Sequence, residues 1–282
     1  MKKKTVSIMV AATMALSLFA GCGSSKDTAT EDTSKTESTE TTDESSENAS
    51  AETTDESSRT TFTVGFDAEY PPYGYMDDDG EYTGFDLELA QAVCDKEGWE
   101  LVKKPINWDS KDMELNSGSI DCIWNGFTMN GREDDYTFSV PYVDNSQVIV
   151  TSADSGITKL SDLSGKTVGV QAASAALSVL SDEEQQKALA DTFGSLNEFA
   201  DYNTAFTELQ AGALDALAID VGVAKYQLNS RGEGFKILDE TLNTEQYAIG
   251  FKKGNQELCD IVNKDLQELA NEGKVAELAE KY

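Results

Sequence analysis

Glu114-Leu115-Asn116-Ser117-Gly118-Ser119-Ile120-Asp121-Cys122-Ile123 and Glu208-Leu209-Gln210-Ala211-Gly212-Ala213-Leu214-Asp215-Ala216-Leu217 decide the fold. Each stretch reads as a helix end, a glycine stop and an apolar strand. Two α-turn-β units of one design predict two similar lobes. Chance likeness of two αβ units is the competing reading. In each unit the chain soon leaves the strand's carboxyl end, at Asn125 and at Asp220. In open α/β sheets that edge is where ligands bind. The two copies therefore point at the two walls of one cleft.

Helical and strand patterns alternate around these units, which favours an α/β fold. Phe62 to Phe66 reads as a strand. Asp86 to Glu97 reads as a helix with apolar Leu89, Ala92 and Val93, stopped by Gly98. Strands are expected at Ile120–Trp124, Gln147–Thr151, Lys166–Gln171, Leu214–Ile219 and Tyr247–Phe251. Helices are expected at Ser174–Leu180 and Thr204–Gln210. Leu258, Ile261, Val262, Leu266 and Leu269 recur at helical spacing, so the C-terminus reads as one amphipathic helix.

The N-terminus carries a different signal. Lys2, Lys3 and Lys4 precede a mostly apolar run from Val6 to Ala20. That run is short for a membrane span and suits an export signal. Leu18-Phe19-Ala20-Gly21-Cys22 resembles a bacterial lipobox, in which the Cys22 thiol is acylated and the chain is cut before it. Phe19 stands where leucine is usual, and an ordinary secretory signal with a chance cysteine is the alternative. Both readings export the protein. From residue 23 to 61 the chain is Ser, Thr, Glu and Asp with almost no large apolar side chain. It cannot bury enough surface to offset its ordering entropy, so it reads as a disordered acidic tether.

The formal charge of the chain is −30. Nucleic acid is excluded as a partner, because phosphate binding needs a basic footprint. There is no histidine, which removes Ser-His-Asp triads and His-ligated metal sites. No metal or cofactor is expected, and the chain reads as a monomer. Cys94, Cys122 and Cys259 are an odd set at wide spacing. They read as small buried hydrophobes, with one disulfide among them as the alternative.

With those residues in place, residues 62–282 resemble the polar-amino-acid solute-binding proteins of ABC importers, extracellular family 3. The landmarks are Asp67-Ala68-Glu69-Tyr70-Pro71-Pro72-Tyr73, Gly84-Phe85-Asp86-Leu87 and Ser117-Gly118-Ser119-Ile120-Asp121. Phe138-Ser139-Val140-Pro141-Tyr142, Asp162 to Val170, Ala211 to Ala216 and Tyr247-Ala248-Ile249-Gly250 follow in the family's order. The resemblance implies a type II periplasmic-binding-protein-like fold, two α/β lobes joined by two hinge strands. Lobe 1 would be 62–148 plus 248–282 and lobe 2 would be 149–247, with hinges near Gln147–Thr151 and Gln246–Phe251. It implies capture of a free amino acid, not catalysis, with delivery to a membrane permease and a lipid anchor on the outer face of the cell membrane.

A free amino acid carries a carboxylate and an ammonium. A guanidinium holds a carboxylate through two parallel hydrogen bonds, and an ammonium needs an acidic partner. Arg132 matches the family's carboxylate clamp and Asp220 its ammonium acceptor. A surface arginine among Glu133, Asp134 and Asp135, and a helix cap before Val221, are the plain alternatives. Asn125, Gly126 and Thr128 match the loop that binds ligand, and Tyr70 and Trp108 the aromatic walls. Core packing is the alternative for both rings. Asp67 matches a position that meets the ligand's distal group and leans towards glutamine or a basic amino acid, with cystine also open. Its alternative is to cap the turn before Pro71-Pro72. Gln171 and Ser174 fall in the second lobe's strand-to-helix turn, which suits an anion.

Three departures bear on ligand identity. Thr128 and Arg132 are one residue closer than usual. The turn Gln171-Ala172-Ala173-Ser174-Ala175 lacks the usual glycine and loses a hydroxyl at Ala175. Asp109 to Met113 is polar where apolar residues are usual. A ligand sensor, or a cyclohexadienyl dehydratase on the same scaffold using Asp67, Glu69 or Asp220, are the rival readings.

Overall fold

The computed structural model describes residues 58–282. The export signal, the lipobox with Cys22 and nearly all of the acidic tether lie outside the described residues.

The chain enters on β1 (Thr61–Phe66) and makes a small antiparallel ribbon, β2 (Glu69–Tyr70), β3 (Gly74–Met76) and β4 (Tyr82–Thr83). Helix α1 (Phe85–Glu97), β5 (Glu100–Pro105), α2 (Lys111–Asn116), β6 (Cys122–Ile123) and β7 (Tyr136–Phe138) follow. The long β8 (Val143–Ser152) passes to a second sheet. That sheet's segment holds β9 (Thr167–Gln171), α3 (Ala175–Ser181), α4 (Lys187–Ala190), β10 (Ser195–Phe199), α5 (Tyr202–Ala211), β11 (Ala216–Asp220), α6 (Val221–Arg231) and β12 (Phe235–Tyr247). The chain then returns through β13 (Gly250–Lys252) and closes with α7 (Gln256–Asn271) and α8 (Lys274–Lys281).

The result is a two-lobed α/β fold. One sheet has the order β5-β1-β6-β13-β7 and the other β10-β9-β11-β8-β12. In each, the three strands around the echoed unit are parallel: β5, β1 and β6 in one, β10, β9 and β11 in the other. Parallel strands covered on both faces are apolar throughout. Phe62, Val64 and Phe66 of β1 and every residue of β11 are buried accordingly.

The echoed stretches are equivalent in detail. Gly118 and Gly212 both take left-handed backbone, φ 77° and 75°, which only glycine adopts without strain. Asp121 accepts the Thr63 backbone N–H at 2.7 Å, and Asp215 accepts that of Thr167 at 2.8 Å. The same aspartate of the motif thus ties the same edge of its sheet in both lobes.

Helix α1 buries Leu87, Leu89, Ala90, Val93 and Cys94 and ends at Gly98, whose N–H bonds Cys94. Burying each such leucine or valine contributes about 1.5–3 kcal/mol. The C-terminal periodicity is realised in α7, which buries Leu258, Cys259, Val262, Leu266 and Leu269. The expected single helix is broken at Gly273, φ 83°, into α7 and α8. The expected strand Tyr247–Phe251 is also broken. Tyr247 ends β12, Ala248 donates to the Phe127 carbonyl at 3.0 Å, and Gly250 begins β13 in the other sheet.

Gln147–Thr151 pairs with β11 on one side and β12 on the other, so it belongs to the second sheet. The earlier part of β8, Val143 to Ser146, continues the same ladder against Thr244 to Tyr247 of β12. Cys94, Cys122 and Cys259 are buried free thiols. Among the described residues no helix is long and apolar enough to cross a membrane.

Candidate functional site

The two lobes close on each other and leave a small space of about 10 Å³ between them. Tyr70, Trp108, Gly126, Thr128 and Arg132 line it from one lobe, and Gln171, Ser174, Ala175 and Asp220 from the other. Polar bonds cross the cleft beside it. Gln171 Nε2 donates to Asp67 Oδ2 at 2.7 Å, and Lys111 Nζ donates to the Ala173 carbonyl at 3.3 Å. Asn203 also donates to Glu69.

On the first wall the chain turns at Gly126, φ 55°. A Cβ there would lie 3.0 Å from both the Tyr70 and Tyr247 rings, so the loop needs glycine for sterics as well as conformation. Its N–H donates to buried Asp86 Oδ2 at 2.5 Å. Burial pushes the Asp86 carboxyl up to about 7, against the pull of that N–H. Thr128 follows, and Arg132 returns over the loop. Its Nη1 donates to the Thr128 carbonyl at 3.0 Å and its guanidinium lies 5.0 Å from the Phe127 ring centroid. Arg132 makes no ion pair among the described residues. Its remaining donors are therefore available to a carboxylate in the cavity.

On the second wall Asp220 ends β11 and precedes α6, with 3% exposure. Its Oδ1 accepts from Gln147 Nε2 at 2.6 Å, Asn145 Nδ2 at 2.7 Å and the Tyr247 hydroxyl at 2.6 Å. Burial pushes its carboxyl up to about 7, and the charge of Glu245 adds to this; the Tyr247, Tyr70 and Gln147 hydrogen bonds oppose it. Ser174 caps α3 by accepting the Leu177 N–H at 3.1 Å. The turn before it holds Ala173 in left-handed backbone, φ 54°.

Eight of the sequence-predicted residues thus share one cavity: Tyr70, Trp108, Gly126, Thr128, Arg132, Gln171, Ser174 and Asp220. Two do not line it. Asp67 faces a wider adjoining cleft with Glu69, Asp109, Glu114 and Asp201, and Trp108 borders both spaces. Asp67 also accepts the Glu69 N–H at 2.9 Å, so it caps its own turn, and burial pushes its carboxyl up to about 6. Asn125 turns into its lobe. Its Oδ1 accepts the Asp67 N–H at 2.8 Å, and its Nδ2 lies against Gly74.

Sequence reasoning missed the ring behind Asp220: Asn145, Gln147, Glu245 and Tyr247. All four are buried. Asn145 and Gln147 share one face of β8, and Glu245 and Tyr247 one face of β12, as a period of two requires. The spacing of two within each strand, Asn145 to Gln147 and Glu245 to Tyr247, was the available signal. Among the described residues no group of acidic or cysteine side chains could hold a metal ion.

A family model for the bacterial extracellular solute-binding proteins, family 3, matches residues 62–282. The L-cystine-binding protein TcyJ of Escherichia coli (strain K12) is 30% identical over 227 residues, 79% of this chain and 83% of that protein. The arginine-binding extracellular protein ArtP of Bacillus subtilis is 33% identical over 223 residues, 78% of this chain and 84% of that protein. Among solved structures, a histidine-bound substrate-binding protein of an ABC uptake transporter from Streptococcus pneumoniae superposes with a TM-score of 0.75 at 35% identity. It covers 79% of this chain and 92% of its own.

Proposed function

The chain belongs to family 3 of the bacterial extracellular solute-binding proteins, and from that premise we propose that it is the substrate-binding component of an ABC importer. It captures a free polar L-amino acid between its lobes and delivers it to a membrane permease. The observation that carries this reading is one inter-lobe space with Arg132 lining one wall and Asp220 the other.

Arg132 takes the ligand's carboxylate and Asp220 its ammonium. Thr128 and Gly126 add contacts on the first wall, Gln171 and Ser174 on the second, and Tyr70 and Trp108 sandwich the aliphatic portion. Closure is favoured only by contacts that the open state lacks. A ligand bridging the two walls supplies them. Hinge closure of such binding proteins is a standard example. The lobes are taken as 62–148 plus 248–282 and 149–247. Relatives named for cystine, arginine and histidine binding support an amino acid as the ligand.

The family is extracellular by description. We further propose that export ends in acylation of Cys22, with residues 23–61 as the tether. One acyl chain holds marginally, so a multiply acylated terminus is what makes the anchor firm.

A calorimetric screen of the purified chain against free amino acids and cystine tests the reading. The expected result is binding of at least one of them, lost or strongly weakened in Arg132→Ala. Absence of binding by all of them, or unchanged affinity in that variant, overturns it.

A further inference from the structure

Glu245 lies outside the cavity wall, yet it is 4% exposed and wired to the site. Its Oε1 accepts from Asn145 Nδ2 at 2.7 Å, Gln147 Nε2 at 2.8 Å and the Thr128 hydroxyl at 2.8 Å. The same two amide nitrogens donate to Asp220 Oδ1. Two buried carboxylates are thus clipped together by two neutral amides on β8. Asn145 Oδ1 and Gln147 Oε1 are buried without a partner among the described residues, so the cluster is short of hydrogen-bond donors.

The groups facing this pair are mostly neutral. Tyr247 donates to Asp220 from β12, Tyr70 and Tyr73 approach from the first lobe, and Tyr202 approaches from α5. The nearby cation is Arg132, which lines spaces with both acids but makes no ion pair with either. Two like charges at this separation, out of water, cannot both ionise without a cation.

We propose that Glu245 sets the charge of the ammonium site: the Asp220–Glu245 pair holds one proton while no ammonium is bound and releases it to solvent as the ligand's ammonium enters. This rests on the amino-acid reading above. One positive charge arrives and one leaves, so the buried charge of the pair stays balanced through closure. Glu245 has a second effect. By accepting the Thr128 hydroxyl's hydrogen bond it leaves only lone pairs of Thr128 Oγ1 for other partners, which suits an ammonium and not a carboxylate. Glu245 is therefore a positioning residue, acting through Asp220 and Thr128.

The perturbed carboxyl of Asp220, about 7, gives the window. Its acid form prevails below that value, so binding at pH 6 releases close to one proton per ligand, at pH 7 roughly half, and at pH 8.5 almost none. Affinity rises about tenfold per pH unit up to the window and then levels. The measurement is calorimetry of the full chain in two buffers of different ionisation enthalpy. The probe is the tighter binder of L-arginine and L-glutamine, whose side chains do not titrate in this range.

Glu245→Gln keeps the shape and removes the neighbouring charge, so the midpoint moves down by about one unit and proton release at pH 7 falls several-fold. Glu245→Asp keeps the charge and restores the midpoint. Carbon NMR of side-chain carboxyls in the ligand-free chain reads the same titration. Asp86 is raised to about 7 as well, so the deciding carboxyl is the one whose signal is lost in Asp220→Asn; its titration near 7, shifted in Glu245→Gln, supports the proposal. Binding with no proton exchanged at pH 6, an Asp220 carboxyl that does not titrate above 6, or an unmoved midpoint in a folded Glu245→Gln overturns it. If no amino acid binds at all, the amino-acid reading fails, and the carboxyl titration alone decides whether the pair shares a proton.

Discussion

Replacing Asp220 with asparagine is expected to weaken binding and strengthen the ligand-free fold at once. In the folded chain the carboxyl is raised from its ordinary value of 3.8 to about 7. Protons are then bound more tightly by the folded than by the unfolded state, so this group lowers stability as pH climbs from about 4 to 7. The ordinary-to-folded gap is about three units at 1.36 kcal/mol each, roughly 4 kcal/mol in full. Asparagine carries no such cost. Its own amide rearranges hydrogen bonds around Gln147, Asn145 and Tyr247, which offsets the curve but leaves its slope. Between pH 5 and pH 8 the stability difference, variant minus wild type, therefore grows by about 3 kcal/mol. For a domain of this size that is about 6–12 °C in relative melting temperature. Binding moves the other way. Truncating one partner of a buried charge pair costs about 2–5 kcal/mol, from about 30-fold to several thousand-fold in affinity. Thermal melts of both chains without ligand at pH 5, 6, 7 and 8, paired with calorimetry at pH 8, read both arms. A stability difference that is flat with pH, or undiminished affinity, refutes the reasoning.

Arg132→Ala is expected to lose about 2–5 kcal/mol of binding with a melting temperature close to wild type, since the side chain makes one hydrogen bond to a carbonyl and no ion pair among the described residues; Arg132→Lys recovers only part, because an ammonium lacks the two-pronged geometry, and calorimetry compares the three. Gly126→Ala puts a Cβ 3.0 Å from two rings at φ 55°, so it is expected to cost about 1–3 kcal/mol of stability and to weaken binding, read by denaturant melts and calorimetry. Ala173→Gly relieves a left-handed alanine at φ 54° and is expected to stabilise by about 1 kcal/mol, a rise of roughly 2–4 °C. Cys94, Cys122 and Cys259 are expected to resist a thiol reagent in the folded chain and all to react in denaturant, since burial also pushes the Cys94 thiol up to about 12 and that of Cys259 up to about 11.

The two-lobe plan was legible because one α-turn-β unit appears twice, and Asp121 and Asp215 do the same work in both copies. That Arg132 and Asp220 meet across one space was legible only through the family resemblance, which matched them to a carboxylate clamp and an ammonium acceptor. Asn125 was read as a ligand contact, and its side chain does not line the space beside Arg132 and Asp220. A side chain beside a binding loop can face either way, and here the Asp67 N–H claims its oxygen. Asp67 was read with two alternatives open, and the structure has it cap its turn while bonding Gln171 across the cleft. The break at Gly273 was overlooked because Val275 and Leu278 continue an apolar pattern that hides a change of helix. The ring of Asn145, Gln147, Glu245 and Tyr247 was not seen, because its residues come from two strands whose register no single sequence supplies.

The most direct measurement is a crystal structure of the chain with the amino acid that binds it most tightly. The ligand's carboxylate is predicted to sit within about 3 Å of the Arg132 guanidinium and its ammonium within about 3 Å of Asp220, both inside the space bounded by Tyr70 and Ser174. A ligand lodged instead in the acidic cleft of Glu69, Asp109 and Asp201, with Arg132 and Asp220 left untouched, contradicts the account.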